Sequence, residues 1–470
     1  MNYLKFDIVI IGGGLTGSLF ALEMKKRTDV KILIVEHDET FQLKPGEAIS
    51  DLTALYLTRL NLDGILSRQS RKSGLRFLFE HEQQTCEFTS PTLPGVIRGY
   101  HLNRSTLDEE LLDECVKEGI EVWRPASITK LTYQAFNTSI EVAYQTGRFH
   151  VNATWIIDAS GRSRYLPHVL GWDDLPVKLN TSSMMCYYTG LDFNKNWDHL
   201  DHNYWTRNAI GDLSYATTHI MRKNHWWWII RLNEELTSVG VVFDHQHSQP
   251  DDFDQAVMED RLLSQLMNGT THGPIRKLDG LSHLTQQMYQ PGIVVLGDSW
   301  SFIDPLFSPG LELLGQQTVA TSDLLADYFT RHTFHQNQWK RLERSFQCAF
   351  RDREEYYQVA YQIMHNYPVM SSWIQLANYV YNTFTIIPSI WFPKRMKYPK
   401  TLNRIEKMLF RVIKKRYLKL GEYHFGNKKS VQPSNIELTG DWKMIIKPFH
   451  LLWLWFKGYV RLEIHAIIKH

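Results

Sequence analysis

This sequence has few cysteines, no long apolar run and almost no excess of charge of either sign. The 470 residues include four cysteines and no C-x-x-C pair, so neither a disulfide framework nor a metal site is indicated. Lysine and arginine number 52 against 50 aspartates and glutamates, and this net charge of +2 gives no general attraction for nucleic acid. No apolar run approaches the ~20 residues of a membrane-spanning helix. We therefore expect a cytoplasmic protein without a bound metal or a nucleic-acid partner.

The first motif lies near the N-terminus. Residues 6–11 have the continuous apolar pattern of a buried parallel strand, 12–17 (Gly-Gly-Gly-Leu-Thr-Gly) follow as G-x-G-x-x-G, and a helical pattern leads to a strand at 31–36. In such a unit the glycines let a pyrophosphate approach the backbone, and an acidic residue after the second strand binds ribose. The pattern predicts dinucleotide contacts from Gly12, Gly14, Thr16, Gly17 and Glu36. This motif alone leaves FAD and NAD open.

Two later segments resemble the second and third FAD motifs of flavoprotein monooxygenases. Residues 158–163 (Asp-Ala-Ser-Gly-Arg-Ser) follow one buried strand, and Gly297-Asp298 follows another. The resemblance implies that the dinucleotide is FAD, that Asp298 contacts its ribityl chain and that Arg104 contacts the flavin. An ordinary helix N-cap is the alternative role for Asp298. Beyond the first loop, the predicted FAD contacts are Arg104, Asp158, Gly161, Gly297, Asp298, Pro305 and Gly310.

Three further segments narrow the class of flavoprotein. Residues 302–310 (Phe-Ile-Asp-Pro-Leu-Phe-Ser-Pro-Gly) match the F-x-x-P-x-x-S-x-G pattern of flavin-dependent halogenases at every fixed position. Residues 226–231 (Trp-Trp-Trp-Ile-Ile-Arg) match the W-x-W-x-I-P element except at its proline, and 71–77 is similar to the K-x-G-x-x-F segment, preceded by a similar Gly-Glu turn at 46–47. Over residues 5–330 the chain thus resembles that family, in its phenol and pyrrole branch.

The resemblance implies an enzyme that uses FADH2, O2 and chloride or bromide to halogenate an electron-rich, phenolic aromatic. The substrate would be a small molecule, either free or bound to a carrier protein, and FADH2 would come from a separate flavin reductase. Catalytic roles fall to Lys72, Ser308, Trp226 and Trp228. The lysine would direct hypohalous acid, and backbone N–H groups near Ser308 and Gly310 would bind halide. The two tryptophans, on one face of a strand, would separate flavin from substrate.

Each catalytic assignment has a structural alternative. Lys72 belongs to a basic cluster of a kind that is usually solvated, and three tryptophans are equally consistent with core packing. Pro309 removes a backbone donor from the halide-like loop. Glu312, on the helix that follows, is expected to face solvent. These alternatives remain open at the level of sequence.

Three other functions also remain open. Arg231 and Pro309 depart from the halogenase pattern and favour a flavin-dependent aromatic hydroxylase or epoxidase. An FAD-linked reductase of isoprenoid or lipid double bonds shares the same motifs. Its membrane contact would explain the aromatic and lysine-flanked segment 445–457, which predicts either peripheral membrane contact or docking onto the rest of the chain. A flavin-binding protein without catalysis is the third.

The predicted fold is α/β (α+β), with a Rossmann-type FAD-binding domain, an inserted antiparallel substrate-side sheet and a helical C-terminal region. We predict the FAD-binding domain in two parts at 1–175 and 286–330, the substrate-side sheet at 176–285, and the helical region at 331–470.

Overall fold

The structure is a computed structural model that describes most of the chain. The described residues are 4–81, 84–91, 99–193, 212–245, 250, 252–381 and 404–422. The segment 445–457, for which membrane contact was one prediction, lies outside them.

The described residues form strands in the first two thirds of the chain and mostly helices after them. The strands are β1 (Leu4–Ile11), β2 (Ile32–Val35), β3 (Ser70–Arg71), β4 (Gly74–His81), β5 (Gln84–Pro91), β6 (Tyr100–His101), β7 (Glu121–Trp123), β8 (Ala126–Thr132), β9 (Thr138–Tyr144), β10 (Gly147–Asp158), β11 (Thr181–Thr189), β12 (Ala216–Met221), β13 (His225–Arg231), β14 (Leu236–Asp244), β15 (Thr271–His272), β16 (Arg276–Leu278), β17 (His283–Leu284), β18 (Tyr289–Gln290), β19 (Ile293–Val295) and β20 (Ser301–Phe302). The helices are α1 (Leu15–Lys25), α2 (Asp51–Arg59), α3 (Asp63–Leu66), α4 (Arg104–Lys117), α5 (Tyr165–Leu170), α6 (Phe253–Glu259), α7 (Arg261–Leu266), α8 (Gly310–Arg331), α9 (Gln336–Ile363), α10 (Tyr367–Tyr381) and α11 (Arg404–Gly421).

The first sheet carries the Rossmann-type unit. Its strands run in the order β18, β19, β10, β1, β2, β7, and β9 and β8 extend it from β10. The pairs β19–β10, β10–β1, β1–β2 and β2–β7 are parallel. β2 is buried along its whole length, which matches its unbroken Ile-Leu-Ile-Val run. The predicted strand, turn, helix and strand over residues 6–36 are confirmed.

The second sheet is larger than the sequence predicts. Its order is β15, β11, β14, β13, β12, β4, β5, with β16 also paired to β11. Its pairs are antiparallel except β12–β4, which is parallel. Because β4 and β5 belong to this sheet, residues 74–91 are part of the second sheet although they lie well before the predicted boundary at 175. A strand pattern does not reveal which sheet the strand joins.

Helices α8 to α11 follow the two sheets, and the predicted helical C-terminal region is confirmed over its described part. α10 packs on the second sheet, where the rings of Tyr367 and Phe79 lie 5.2 Å apart. α8 lies against α1 of the first sheet, where Asp323 accepts a hydrogen bond from Arg27 at 3.0 Å. In the part of the chain that the structure describes, no helix combines the length and apolar character needed to cross a membrane.

Candidate active site

The glycine loop after β1 is shaped for close backbone packing on one side and is open on the other. Gly12 has a φ of 97°, and a Cβ there would lie 2.6 Å from the carbonyl oxygen of Ala159. A Cβ on Gly17 would overlap the carbonyl oxygen of Gly12. At Gly14 the nearest atom would be 3.5 Å away, and this residue caps α1 without a side-chain hydrogen bond. The first N–H groups of α1 are therefore available to an anion on the open side.

Glu36, the predicted ribose ligand, is buried at the carboxyl end of β2. Its Oε2 accepts a hydrogen bond from the Gly13 N–H at 2.6 Å, and its Oε1 accepts one from the Asp38 N–H at 2.7 Å. These bonds orient the carboxylate beside the glycine loop. Each oxygen retains a lone pair for a further donor, such as a ribose hydroxyl.

The second and third motifs meet the first at the carboxyl ends of β1, β10 and β19. The hydroxyls of Ser160 and Ser299, one from each later motif, lie 3.5 Å apart. A Cβ on Gly297 would lie 3.0 Å from Oγ1 of Thr16. Gly161 follows Ser160 in a short 3-10 turn. Three segments far apart in sequence are thus brought together, because parallel neighbouring strands end at one edge of the sheet.

Asp158 supports this junction through its own loop. It is fully buried, and its Oδ1 accepts hydrogen bonds from the Ser160 N–H at 2.9 Å and the Ser160 hydroxyl at 2.6 Å. Its Oδ2 accepts one from the Leu166 N–H at 2.6 Å. Both oxygens are therefore engaged within the protein. These contacts favour a supporting role over the predicted direct contact with FAD.

We expect Asp158→Asn to lower the free energy of unfolding by about 1–3 kcal/mol, because the asparagine NH2 would face the Leu166 N–H and leave a buried donor unsatisfied. Urea unfolding of the purified protein measures the loss. Asp173→Asn, at an exposed position, is the control and should change stability by less than about 0.5 kcal/mol. Equal stability of the two variants would contradict the supporting role.

Arg104, the first residue of α4, is held in place by protein groups. Its Nε and Nη2 donate to the two carboxylate oxygens of Asp108 at 2.9 and 3.0 Å, and its Nη1 donates to the Pro45 carbonyl at 3.3 Å. Lys44 Nζ lies 2.7 Å from the same Asp108 carboxylate. A Cβ on Gly46 would lie 2.6 Å from Arg104 Nη1. The arginine is therefore a rigid part of the region between the glycine loop and the 46–47 turn.

Asp298 lines a cleft at the third motif. The 3-10 turn that contains it has no side-chain cap, so the alternative role of Asp298 as a helix N-cap is wrong. Burial raises the pKa of Asp298, while Arg162, Arg104 and Lys44 act in the opposite direction. Asp304 and Gly310 also line this cleft. It therefore connects the third FAD motif to the halide-like loop, residues 302–310.

The halide-like loop follows an unusual backbone path. Phe307 and Ser308 have φ values of 68° and 54°, in the left-handed region that residues other than glycine seldom adopt. The Ser308 N–H donates to the Pro305 carbonyl at 2.9 Å. This N–H is therefore already used by the turn, and halide binding by the N–H groups near Ser308 and Gly310 stays a prediction. The N–H groups at the start of α8, from Gly310 onward, have no acceptor within their own helix.

Lys72 is buried between β3 and β4, with 4% of its surface exposed. The alternative of a solvated basic residue is therefore wrong. Burial lowers the pKa of Lys72 to about 8, and Asp51 opposes this shift. Burial, together with the charge of Lys72, also lowers the pKa values of His101 and His219 to about 3. Both imidazoles are neutral at pH 7, whereas the amine can change its charge close to that pH.

Trp226 and Trp228 share one face of β13, as the alternation predicts. Their ring centroids lie 6.1 Å apart, whereas Trp227 faces the other side and packs against Phe253 of α6 at 5.5 Å. Trp226 also lies 5.3 Å from the ring of His219. The Trp226 and Trp228 face belongs to the same core as the FAD motifs. Its role as a wall between flavin and substrate stays a prediction.

Two acidic residues near the site, Glu47 and Glu312, are buried. Glu47 is buried, with the hydroxyls of Ser238 and Tyr187 close to its carboxyl. Burial raises the pKa of Glu47 to about 7, and Ser238, Tyr187, Arg104 and Arg276 oppose this shift. Glu312 is also buried, 3.5 Å from Arg353 of α9, so the expectation that it faces solvent is wrong. The Gly-Glu turn was the only sequence signal for Glu47.

These residues fit FAD. The glycine loop is open at Gly14, the start of α1 is uncapped, and Glu36 is oriented at the end of β2. Glu47 adds a buried carboxyl near Arg104, one of the predicted flavin contacts. Gly14, Glu36 and Glu47 are therefore among the residues that would hold FAD.

Comparison with known proteins gives the same assignment. The family model for tryptophan halogenases matches residues 75–368. The chain is 23% identical over 350 residues to the 1H-pyrrole-2-carbonyl-(peptidyl-carrier protein) chlorinase of Pseudomonas fluorescens, covering 68% of this chain and 76% of that one. It is 23% identical over 351 residues to the tetracycline 7-halogenase of Kitasatospora aureofaciens, covering 65% and 60%.

Solved structures show that the fold is also shared. The crystal structure of halogenase PltM superposes with a TM-score of 0.78 at 17% identity, covering 97% of this chain and 96% of that one. Both curated relatives are halogenases, which does not favour the hydroxylase, epoxidase or lipid reductase alternatives. Since the family model covers more than half of the chain, the protein belongs to the tryptophan halogenase family and is a flavin-dependent halogenase that uses reduced FAD and a halide.

Proposed function

We propose that this enzyme halogenates a phenolic, electron-rich aromatic ring and that Lys72 directs the halogenating species to it. The burial of Lys72 carries the proposal, because a buried amine whose pKa is lowered to about 8 is neutral in roughly a tenth of the molecules at pH 7, whereas an ordinary lysine is almost entirely charged. When bound, FADH2 with O2 supplies the oxidation of halide to hypohalous acid. The ammonium form of Lys72 donates hydrogen bonds to this acid, and the neutral form attacks its halogen to give an N-haloamine and water.

Aromatic side chains near Lys72 support a flat, apolar substrate. The ring of Phe77 stacks on His219 at 4.5 Å, and Phe307 of the halide-like loop lies 5.8 Å from Phe77. Trp226 extends this group on the other side of His219. Such walls exclude water and pack well against an aromatic ring. Excluding water also protects hypohalous acid from loss before it reaches the substrate.

The halide and the flavin reductase complete the proposal. We assign halide binding to the start of α8 at Gly310 and to the Ser308 side chain, beside the cleft that Asp298 lines. Because the chain carries one dinucleotide motif, we propose that a separate reductase supplies FADH2. Asp298, Arg104 and Glu47 would then hold the flavin between the glycine loop and this cleft.

Two relatives suggest different forms of the substrate. The Pseudomonas fluorescens chlorinase acts on a carrier-bound pyrrole, and PltM, with a TM-score of 0.75 and 17% identity, has been crystallised with phloroglucinol and FAD. We propose a free phenol for this chain, because the aromatic walls around His219 suit a small flat ring. A carrier-bound pyrrole is the competing form.

The test combines purified protein, FAD, NADH, a flavin reductase, O2 and bromide with either phloroglucinol or a pyrrolyl thioester on its carrier protein. We expect mass spectrometry to detect brominated phloroglucinol only when both reductase and bromide are present. Oxygen insertion that does not depend on halide would refute the proposal. Bromination of the carrier-bound pyrrole alone would refute the free phenol and leave the role of Lys72 intact.

A further inference from the structure

A chain of buried hydrogen bonds joins the halide-like loop to the tryptophan face of β13. The Tyr361 hydroxyl, in α9, donates to Asp304 Oδ2 at 2.8 Å and accepts from Trp226 Nε1 at 3.1 Å. All three side chains are buried, with exposed fractions of 1% for Asp304, 1% for Trp226 and 6% for Tyr361. In such surroundings hydrogen bonds are stronger than in water, and losing one partner is costly.

Asp304 also fixes the loop itself. Its Oδ1 accepts a hydrogen bond from the Leu306 N–H at 3.0 Å, and its Oδ2 accepts one from the Thr181 hydroxyl of β11 at 3.2 Å. One carboxylate therefore connects the turn of the loop, the second sheet and α9. If the loop moves, the bond that orients Tyr361 is lost, and Trp226 loses an oriented acceptor with it.

Helix α9 contacts the loop a second time, one turn earlier. Tyr357 donates its hydroxyl hydrogen to the Leu306 carbonyl at 2.8 Å, and its ring stacks on Phe307 at a centroid distance of 6.2 Å. Residues four apart lie on the same face of a helix, so Tyr357 and Tyr361 act from one side. Their contacts stabilise the left-handed conformation at Phe307, which would otherwise be unfavourable.

We propose that Asp304 and Tyr361 are positioning residues that hold the halide-like loop and Trp226 in one fixed arrangement, so that the oxidant formed at the loop reaches Lys72 without escaping. This inference rests on the proposed function, which assigns halide binding to the loop and separation of flavin from substrate to Trp226. The consequence is specific. Breaking the connection lowers the share of FADH2 oxidation that ends in halogenated product, without weakening the binding of FAD.

The test measures halogenated product per FADH2 oxidised for Tyr361→Phe and Asp304→Asn. Phenylalanine removes both hydrogen bonds of Tyr361, whereas asparagine keeps an acceptor for Leu306 and loses the acceptor for Tyr361 and Thr181. We expect a ratio about tenfold lower in each, the factor that 1.4 kcal/mol produces. The Kd for FAD, from fluorescence titration, should not change. Tyr356→Phe is the matched control, because that hydroxyl, also in α9, donates elsewhere, to the Trp373 carbonyl at 3.4 Å.

The pH dependence separates positioning from general damage to the fold. Burial raises the pKa of Asp304 to about 6. The groups that face it are Tyr361 and Tyr357 from α9, Thr181 from β11 and the Leu306 N–H, with Asp244 near Tyr361 and with Arg353 and Glu312 near Tyr357. Above this pKa the carboxylate accepts from Tyr361, and below it the proton weakens that bond. The product ratio should therefore fall below pH 6 in the wild type and show no such step in Asp304→Asn.

Each outcome decides one of the two proposals. A wild-type ratio in Tyr361→Phe, or a loss in Tyr356→Phe as large as in Tyr361→Phe, overturns the inference and leaves the proposed function standing. Weaker FAD binding by both Tyr361→Phe and Asp304→Asn also overturns the inference, because the lower product ratio would then come from a general loss of structure. If Tyr361→Phe does not fold, Asp304→Asn and its pH profile decide the question. Absence of halogenated product from the wild type refutes the proposed function itself, and the inference falls with it.

Discussion

Replacing Lys72 with methionine is expected to lower the rate of halogenation by about 10²-fold or more, the contribution typical of a positioned catalytic acid or base. Methionine keeps an unbranched side chain in the buried space but cannot hydrogen-bond to hypohalous acid or form an N–halogen bond. FADH2 oxidation should continue, because the FAD motifs do not involve Lys72. The measurement is halogenated product by mass spectrometry alongside flavin oxidation by absorbance.

The same substitution should not destabilise the protein at pH 7. In the folded state the pKa of Lys72 is about 8, against an ordinary value of 10.5. Below pH 8 the folded protein therefore bears the cost of a buried charge, and this cost disappears as the pH rises from 8 to 10.5. Lys72→Met lacks the cost, so we expect it to be at least as stable as the wild type at pH 7. Its advantage should shrink above pH 8.

Arg71→Met is the matched control for Lys72→Met. Arg71 is the adjacent basic residue and is exposed, so its loss should leave halogenation within about twofold of the wild type, a change of about 0.4 kcal/mol. If Arg71→Met lost as much activity as Lys72→Met, the general positive charge of the region would be the cause. If Lys72→Met retained full activity, the proposed role of the lysine would be refuted.

Replacing Gly14 with alanine is expected to weaken FAD binding about 100-fold, or about 2.7 kcal/mol, without unfolding the protein. The backbone of Gly14 is extended at φ −68° and ψ −170°, which alanine tolerates, and the added methyl would meet protein atoms no closer than 3.5 Å. That methyl instead fills the open side, where the pyrophosphate is to approach the start of α1. Fluorescence titration of FAD measures the change, and circular dichroism reports the fold.

Gly17→Ala should behave differently, because its methyl would overlap the Gly12 carbonyl oxygen and prevent α1 from packing on β1. We expect this variant to fail to fold. Gly64→Ala, in α3, is the control, since an added Cβ there meets nothing within 4 Å. It should bind FAD as the wild type does and be slightly more stable, because alanine is the better helix former. Normal FAD binding by Gly14→Ala would show that the pyrophosphate lies elsewhere.

The parts of the site predicted well from sequence depend on short stretches of chain. The glycine loop needs a strand, a tight turn and a helix in succession, and residues 6–36 contain the sequence patterns of all three in that order. The placement of Trp226 and Trp228 on one face follows from the two-residue period of a strand. In each case the physical cause acts between neighbours along the chain, so the pattern is visible without the fold.

Other features depend on contacts between distant segments. The turn that uses the Ser308 N–H depends on Pro305, but the conformation of that turn is stabilised by Tyr357 of α9. Lys72 is buried because β4, the strand that begins two residues after it, belongs to the second sheet although it lies within the first 175 residues. The basic residues at 68–76 do not by themselves indicate that Lys72 is buried. For this reason the solvated cluster was a reasonable expectation that the structure corrects, and the turn that uses the Ser308 N–H could not be predicted.

The sequence by itself determined the order of the Rossmann-type unit, because glycine geometry and strand periodicity are local properties. FAD and the family followed from the resemblance of its later motifs to those of flavin-dependent halogenases. Only the tertiary structure decided that Lys72 and Glu47 are buried with shifted pKa values, and that Asp304 and Tyr361 connect the loop to Trp226. Burial and hydrogen bonding between residues tens or hundreds of positions apart depend on how sheets and helices pack. That packing is a property of the whole chain and is not encoded in any one motif.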